Sequence, residues 1–424
     1  MTAQQMTGGS EPPRIGTESG VFNFGDLSDS AWRADYEAVA FTIAEEHPGS
    51  PRSTHVDAIR ERAKLLNYRL PSTPEERLVE LIRMSAMVGD GHTRLKGLMK
   101  AGVCFPGLRR FPFTLRWLED GLFVTSTNPA WRHLLGCRVI EIEQWGAAAI
   151  VTQLASLASA DNAWRVRAVV PGLAVLPDVL AGVGVVSPTD DPLITFETAE
   201  KNSIRERVTS DLVTVDEVCQ WQTRSEVSWW PVYGPPTANF SFRDLEGSPG
   251  TVYAAYNSAR DEPDSILEEQ FGLCLDHVEQ TRADRLILDL RSNGGGNLTL
   301  NRPLIEGIQG SSRVNSPGRL GVLIGRHTFS AAMICAVALE SQTAATFVGE
   351  PTGAKPNHYG DAIAYPLPSG LADIEVSSLW WQTSDPWDIR EAIVPQVAAA
   401  DSSAAYLAGE DRCLLAALTY LRNS

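Results

Sequence analysis

The stretch RLILDLRSNGGGN, residues 285–297, decides the fold class of the second half of the chain. It begins with an apolar run that has the length and composition of a strand buried on both faces, and a glycine-rich loop follows directly. A second apolar run, RLGVLIG at 319–325, comes after a helical segment at 298–308. Two apolar strands joined by one helix form a βαβ unit, so we expect a largely parallel sheet here.

The same alternation extends to both sides of this unit. TVYAAYN at 251–257 and ATFVGE at 345–350 have the pattern of strands. Ile266–Arg282 and SAAMICAVALE at 330–340 have the pattern of helices. The sequence therefore predicts an α/β class for the C-terminal half.

The first half of the chain has a different organisation. Its early part is helical, with the clearest helix start at Thr73-Pro74, where Glu76 completes a capping box. Short alternating strands such as GLFVTST at 121–127 follow. We divide the chain into four parts: a flexible tail over 1–20, an N-terminal helical region over 21–105, a small mixed α/β module over 106–215 and a C-terminal α/β domain over 216–424.

Charge and composition exclude several classes of function. The 424 residues carry a formal net charge of −16 at pH 7, which disfavours binding to nucleic acid or anionic lipid. The longest apolar stretch, 168–186, is interrupted by Pro171, Pro177 and Asp178, so no membrane span is predicted. The first 20 residues lack the basic and apolar segments of a secretory signal, which predicts a cytoplasmic protein.

The cysteines and histidines show no metal-binding or disulfide pattern. None of the six cysteines forms a CxxC pair, and no HExxH spacing is present. These residues therefore predict reduced thiols and no metal site. No GxGxxG or Walker sequence is present either, so no nucleotide or other cofactor is expected.

Ser330 is the first candidate for chemistry. It follows a buried strand and begins a helix, where free N–H groups and the helix dipole favour a serine nucleophile and the oxyanion that it generates. The alternative is structural, because serine is also a preferred N-cap residue. The glycines at 294–296 present a similar choice between an oxyanion loop and a tight turn.

Three further residues are candidates for a general base. Lys355 lies in GEPTGAKPNHYGD, residues 349–361, where packing could desolvate its amine and lower its pKa; most lysines are instead solvated surface charges. His92 lies in VGDGHTRL at 88–95, and His358 follows Lys355 closely. A loop histidine can act as acid or base, but it is more often a surface group.

In their order along the chain, these motifs resemble the C-terminal processing peptidases, or tail-specific proteases. This serine peptidase family includes tricorn and the interphotoreceptor retinoid-binding proteins. The resemblance covers much of residues 28–424 and is strongest over 251–361. The sequence is most similar to an uncharacterised branch of this family, whose helical N-terminal region ends in DGHT.

The resemblance implies a crotonase/ClpP-like α/β catalytic domain after a PDZ-like module at 106–215. It also implies that Ser330 is the nucleophile and that the backbone N–H groups of Gly295 and Ala331 form the oxyanion hole. Lys355 matches the lysine base of the processing peptidases, whereas His92 resembles the histidine base of the tricorn-like branch. We prefer the pair Ser330–Lys355, with His92 assisting or substituting.

Other residues have less defined roles. Asp90 and His358 are possible supports of the site. The acidic residue that often follows the serine in this family is replaced by Ser341, and the usual Pro-Asp near the end is Pro395-Gln396. Tryptophans could line an apolar substrate groove or simply fill the core: Trp229, Trp230, Trp380 and Trp381.

The predicted function is therefore hydrolysis of a peptide or protein substrate through an acyl-enzyme on Ser330. Two alternatives remain open. The chain could be a non-catalytic binder of an apolar ligand or peptide, with the stretch 168–186 lining its pocket, or a biosynthetic enzyme that transfers the acyl group to an amine or alcohol. The sequence predicts neither the substrate's identity nor the oligomeric state.

Overall fold

The structure is a computed structural model that describes residues 23–50, 54–96, 107–213, 215–223 and 238–423. The predicted tail at 1–20 and the pair Trp229-Trp230 lie outside the described residues. The predicted α/β class is confirmed, because helices and three sheets alternate over this part of the chain. None of its helices combines the length and apolar character needed to cross a membrane.

The helices follow the predicted pattern closely, including the capping box of Thr73 and Glu76. The α-helices of the described residues are α1 (Asp29–Glu46), α2 (Thr54–Tyr68), α3 (Pro74–Ala86), α4 (Ala147–Ala155), α5 (Ala163–Leu173), α6 (Pro177–Gly182), α7 (Val215–Cys219), α8 (Leu267–Thr281), α9 (Arg302–Gly310), α10 (Ala331–Gln342), α11 (Ser403–Ala408) and α12 (Arg412–Asn423).

The strands of the described residues are β1 (Arg94–Leu95), β2 (Phe113–Leu118), β3 (Gly121–Thr127), β4 (Arg138–Ile142), β5 (Trp145–Gly146), β6 (Leu193–Glu197), β7 (Ser203–Arg207), β8 (Gln222–Thr223), β9 (Phe240–Asp244), β10 (Thr251–Tyr256), β11 (Arg285–Asp289), β12 (Leu320–Ile324), β13 (Thr346–Gly349), β14 (His358–Pro366), β15 (Asp373–Trp381) and β16 (Val397–Ala398).

The parallel sheet predicted for the second half is confirmed. Its order is β16-β13-β12-β11-β10-β9, with β9 antiparallel to β10 and the other neighbours parallel. Strand β12 is buried along its whole length, as an apolar strand covered on both faces should be. Because β11 and β12 are parallel neighbours, the loops at 290–297 and 325–330 leave the same edge of the sheet.

A second sheet, with the order β2-β3-β4-β6-β7, lies in the first half, and β5 and β8 pair with its strands. The apolar stretch 168–186 forms parts of α5 and α6, and Val170, Leu173 and Leu180 are fully buried in the core of this half. These side chains therefore serve packing. The PDZ-like character of 106–215 remains a prediction.

A third sheet, β1-β15-β14, was not anticipated from the sequence. Its hairpin comes from the C-terminal half, but Leu367, Ile374 and Val376 pack into the same core as α1 to α3. Strand β1 pairs with β15 through Arg94 and Glu375, which brings the loop that follows α3 beside the hairpin. The domain boundaries drawn from the sequence remain a prediction, and this hairpin joins the two halves.

Candidate active site

Ser330 occupies an unusual backbone conformation between β12 and α10. Its φ is 55° and its ψ is −127°, a region that is costly for any residue except glycine. Although Ser330 is the residue before the helix, its side chain makes no capping hydrogen bond. The hydroxyl is therefore not used in the structural role that sequence position alone favours. Such strain is characteristic of residues that a fold holds for function.

The glycine loop after β11 packs directly against Ser330. Gly295 has a φ of 106°, and a Cβ built on it would lie 2.6 Å from the Ser330 Cβ and 3.0 Å from the Ala331 backbone nitrogen. Only glycine permits this approach. The Gly295 N–H, however, donates to Oδ1 of Asn293 at 2.9 Å. Gly295 thus packs against Ser330 and Ala331, its amide already has an acceptor, and its role in an oxyanion hole remains a prediction.

Asn293 joins the two loops of the site. It is fully buried, and its backbone carbonyl accepts a hydrogen bond from the Phe329 N–H at 3.1 Å. The Thr328 hydroxyl donates to the Leu290 carbonyl at 2.9 Å and adds a second link. These bonds hold the turn that precedes Ser330 against the end of β11.

His92 lies close to this turn. Its imidazole is 7% exposed and stacks on the Phe329 ring, with 4.3 Å between the ring centroids. Neither ring nitrogen has a hydrogen-bond partner among the described residues. Nδ1 lies 3.7 Å from Oδ1 of Asp90. A carboxylate beside Nδ1 favours the tautomer that leaves Nε2 free to accept a proton.

Asp90 is buried and is held by several donors. Oδ1 accepts from the His92 N–H at 2.8 Å, and Oδ2 accepts from the hydroxyls of Thr93 at 2.7 Å and Ser377 at 2.5 Å. Burial alone would raise the pKa of this carboxyl. The attraction of His47 and His92, together with the hydrogen bonds, outweighs burial and holds the pKa below its usual value.

His47, at the end of α1, was not identified as a site residue from the sequence. Its Nδ1 accepts from the Gly49 N–H at 3.1 Å, so the ring proton is on Nε2, which lies 3.4 Å from Oδ2 of Asp90. A single histidine before a proline carries no signal for this role. The contact depends on how α1 packs against the rest of the fold.

His358 lies on the other side of His92. The two imidazoles are nearly parallel, with 5.8 Å between their centroids. His358 Nδ1 donates to the Lys355 carbonyl at 3.0 Å. Burial and the nearby His92 lower the pKa of His358 to about 4, so this ring is neutral at pH 7. His358 is therefore a neutral neighbour of His92.

Lys355 does not have the desolvated setting that the sequence analysis expected. Its side chain is 35% exposed, and its Nζ lies 3.0 Å from Oε2 of Glu391, a residue that is 68% exposed. The amine is therefore open to solvent and faces an exposed carboxylate. The sequence thus located Lys355 near the site but did not predict its partner.

Asp161 is a second buried acid that the sequence analysis missed. It is 8% exposed, and its Oδ2 has no hydrogen-bond partner among the described residues. A Cβ built on Gly91 would lie 2.8 Å from this oxygen, which places Asp161 against the loop that carries His92. Burial and the nearby Asp90 raise the pKa of Asp161 to about 8. The site therefore pairs one ionised carboxylate with one protonated carboxyl.

Three comparisons relate this chain to known proteins. Residues 264–372 match the family model described as Peptidase family S41. No curated protein matches the sequence. Among solved structures, mature CPAF complexed with lactacystin is 10% identical, with a TM-score of 0.64 over 93% of this chain and 97% of that chain.

Two further structures illustrate the range of the similarity. A second structure of mature CPAF is also 10% identical, with a TM-score of 0.62 over 93% of this chain and 96% of that one. The photosystem II D1 C-terminal processing protease is 13% identical, with a TM-score of 0.42 over 87% and 92% of the two chains. At these identities the CPAF comparisons establish a shared fold.

Proposed function

We propose that this chain is a peptidase of family S41, whose family model matches residues 264–372, and that it cleaves peptide bonds through an acyl-enzyme on Ser330. The observation that supports this proposal best is the environment of His92. A buried imidazole with no hydrogen-bond partner among the described residues packs on the residue before the strained serine, with a carboxylate beside its Nδ1. This arrangement supplies a nucleophile, a base and an orienting group.

His92 is the general base in this proposal. The Ser330 Oγ attacks the substrate carbonyl carbon while Nε2 of His92 accepts the hydroxyl proton. Asp90 stabilises the imidazolium that forms, and His92 then gives the proton to the leaving amine. Water hydrolyses the acyl-enzyme by the same path. Nε2 is not hydrogen-bonded to Ser330 in this structure; catalytic hydrogen bonds often tighten only when substrate binds.

In this proposal the Ala331 N–H is the main hydrogen-bond donor to the oxyanion. Ala331 is the first residue of α10, and the first N–H groups of a helix have no intrahelical acceptor. Gly295 closes the other side of this position. Its amide could contribute only by exchanging the hydrogen bond to Asn293 for one to the oxyanion. We therefore assign Ala331 as the primary donor and Gly295 as the residue that leaves space for the oxyanion.

Covalent labelling tests this proposal. Intact mass is measured after exposure to a fluorophosphonate, a peptidyl chloromethyl ketone and a peptidyl boronate, for wild type, Ser330→Ala and Ser341→Ala. Ser341 is a matched control because it lies on the same helix and its hydroxyl donates to the Val337 carbonyl. We expect one adduct in wild type and Ser341→Ala, and none in Ser330→Ala.

The same proteins distinguish the remaining alternatives. Folded wild type that forms no adduct with any reagent would contradict the acyl-enzyme and favour a non-catalytic binder. With casein as substrate, we expect hydrolysis to fall by at least about 10³-fold in Ser330→Ala. Adding a competing amine then separates hydrolysis from transfer, because a transferase would yield peptide amides.

A further inference from the structure

One face of strand β15 leads from the proposed base to solvent. Ser377 lies on this face, because its hydroxyl donates at 2.5 Å to Asp90, the carboxylate beside His92. Successive side chains of a strand point to opposite faces of the sheet, so Leu379 and Trp381 share the face of Ser377. Ser377 is fully buried, whereas Leu379 is 44% exposed and Trp381 is partly exposed. The face therefore opens to solvent directly beyond the carboxylate that supports His92.

Gly360 of β14 brings this face into contact with His92. It pairs with Leu379 across the hairpin, and directly paired residues project to the same face. A Cβ built on Gly360 would lie 3.0 Å from Cδ1 of Trp381 and 3.6 Å from Cε1 of His92. Because glycine has no Cβ, the backbone lies close to both rings, and the indole, the glycine backbone and the imidazole form one continuous surface. Cε1 is bonded to Nε2, the atom that accepts the serine proton in the proposed reaction.

The neighbouring Trp380 has a packing role that Trp381 lacks. Trp380 lies on the opposite face and contacts Tyr359, with 4.7 Å between the ring centroids, and Tyr359 in turn contacts His47 at 4.6 Å. Trp381 stacks on no ring among the described residues, and none of them accepts a hydrogen bond from its Nε1. Trp380 therefore belongs to the packing around His47, whereas the indole of Trp381 borders both the proposed base and solvent.

We propose that Leu379 and Trp381 form a subsite that binds an apolar side chain of the peptide substrate close to the scissile bond. This inference rests on the proposed peptidase function. A peptide bond held between Ser330 and His92 has its neighbouring residues, about 3.3 Å apart along an extended chain, within reach of the indole. Burying an apolar side chain against the indole and the leucine contributes binding free energy that a polar side chain does not supply. Two positions in the substrate satisfy this chemistry, one on the acyl side and one on the leaving-group side of the bond.

A second copy of the chain is the other occupant that an exposed apolar surface suggests. The contact with His92 favours the substrate, because a subunit seated on Trp381 would also cover the proposed base. Analytical ultracentrifugation of wild type and Trp381→Ala tests this occupant, and we expect the variant to keep the oligomeric state of wild type. A wild-type dimer that Trp381→Ala converts into monomers would overturn the subsite.

The test of the preference uses peptides that differ at one residue. Cleavage sites in β-casein are mapped by mass spectrometry, and one cleaved segment is synthesised as pairs with Leu or Gln at each of the two residues on either side of the scissile bond. We expect kcat/KM to be about 10- to 100-fold higher for Leu than for Gln at one of these positions. That position identifies the side of the bond from which the apolar side chain comes.

Variants connect this preference to Trp381. In Trp381→Ala the Leu-to-Gln ratio should fall to near one, and Trp381→Phe, which keeps an aromatic ring, should retain most of it. Leu379→Ser should lower the same ratio by a smaller factor, and it replaces Trp381→Ala if that variant does not fold. Trp380→Ala is the matched control, because Trp380 is the neighbouring tryptophan on the opposite face, and it should keep the wild-type ratio. A purely structural role of Trp381 would slow both members of each pair equally and leave the ratio unchanged.

The outcomes separate this inference from the proposed function. Equal rates for Leu and Gln at every position in wild type, or a preference that survives in Trp381→Ala, would overturn the subsite. If wild type cleaves no peptide, an array of overlapping β-casein segments still measures binding to Ser330→Ala with and without Trp381→Ala. Weaker binding of the apolar segments by the double variant would then support the subsite while the peptidase function fails, and equal binding would overturn the subsite as well.

Discussion

His92 and Lys355 can both accept a proton, but the fold gives them opposite surroundings. His92 is enclosed, stacks on Phe329 and has an ionised carboxylate beside one ring nitrogen. Lys355 extends toward solvent and pairs with an exposed glutamate. His92 is thus enclosed beside the turn that carries Ser330, whereas the Lys355 amine is open to solvent and to a carboxylate. We therefore base the proposed assignment on each side chain's partners and exposure, for which its distance from the serine in sequence is a poor guide.

The largest difference between the two residues is expected when each candidate base is replaced by alanine. We expect His92→Ala to lower kcat/KM by about 10²- to 10⁴-fold, the usual contribution of a general base, and Lys355→Ala to lower it by less than about 10-fold. Steady-state kinetics on a cleaved casein peptide measures both.

His133→Ala is the control for the loss of a histidine, since His133 is exposed and paired with Glu206 far along the chain. All variants are checked by circular dichroism. A larger loss in Lys355→Ala than in His92→Ala would restore the lysine as the base.

The next largest effect is expected at the carboxylate that supports His92. Asp90→Asn keeps the shape of the side chain but removes the charge that stabilises the imidazolium, so kcat should fall by about 10²-fold or more. The decisive measurement is kcat against KM, because an orienting role should change kcat and leave KM nearly unaltered. A change confined to KM would argue that Asp90 contacts substrate.

The pKa of Asp161 depends on groups near both candidate bases. Asp90, beside His92, raises it, whereas Arg165 and Lys355 lower it. With a folded-state pKa of about 8 and an unfolded value near 3.9, the folded protein holds a proton that the unfolded chain has lost, so stability declines as pH rises through this window. His358, whose pKa is lowered to about 4, has the opposite effect up to about pH 6.5.

Between pH 6.5 and 8 the contribution of Asp161 is therefore no longer opposed by His358. Between these two pH values the free energy of unfolding of wild type should fall by about 2 kcal/mol because of Asp161, and Asp161→Asn should not show this fall. Urea unfolding of wild type and variant at pH 6.5 and pH 8 measures the difference. Parallel stability curves for the two proteins would show that Asp161 is already ionised at pH 6.5.

The smallest effect is expected at the exposed partner of Lys355. Glu391→Gln should change the free energy of unfolding by less than about 1 kcal/mol, because a solvated ion pair gains little and is screened by salt. Urea unfolding at low and high salt measures this change, and the low-salt difference should disappear at high salt. A large, salt-independent loss would mean that this pair is not a surface contact.

The strands and loops around Ser330 were predictable because their signals are local. An apolar run of strand length followed by three glycines predicted both β11 and the loop at 290–297, and the unusual position of Ser330 follows from a buried strand that leads into a helix. Each inference required only a short window of sequence. Parallel pairing of β11 and β12 then brought the two loops together.

The environment of the base could not be predicted in the same way. Ser377 and His47 reach Asp90 from β15 and from the end of α1, and Asp161 comes from the turn before α5. These contacts depend on how separate elements pack against each other, and no periodicity in the sequence predicts that packing. Lys355 could be located near the site, but its partner Glu391 lies 36 residues away, and no local pattern in the sequence predicts that pair.

The hydrogen bond from Ser377 to Asp90 also has a consequence for synthesis. It joins residues that are 287 positions apart in sequence, so Asp90 cannot be fully supported until the β14–β15 hairpin has left the ribosome. At translation rates of about 5–20 residues per second, this delay is on the order of tens of seconds. Only while residues 331–377 are made, for about 2 to 9 seconds, does the chain contain Ser330 without the complete setting of His92. In this interval the nascent chain carries the serine before its proposed base is fully supported.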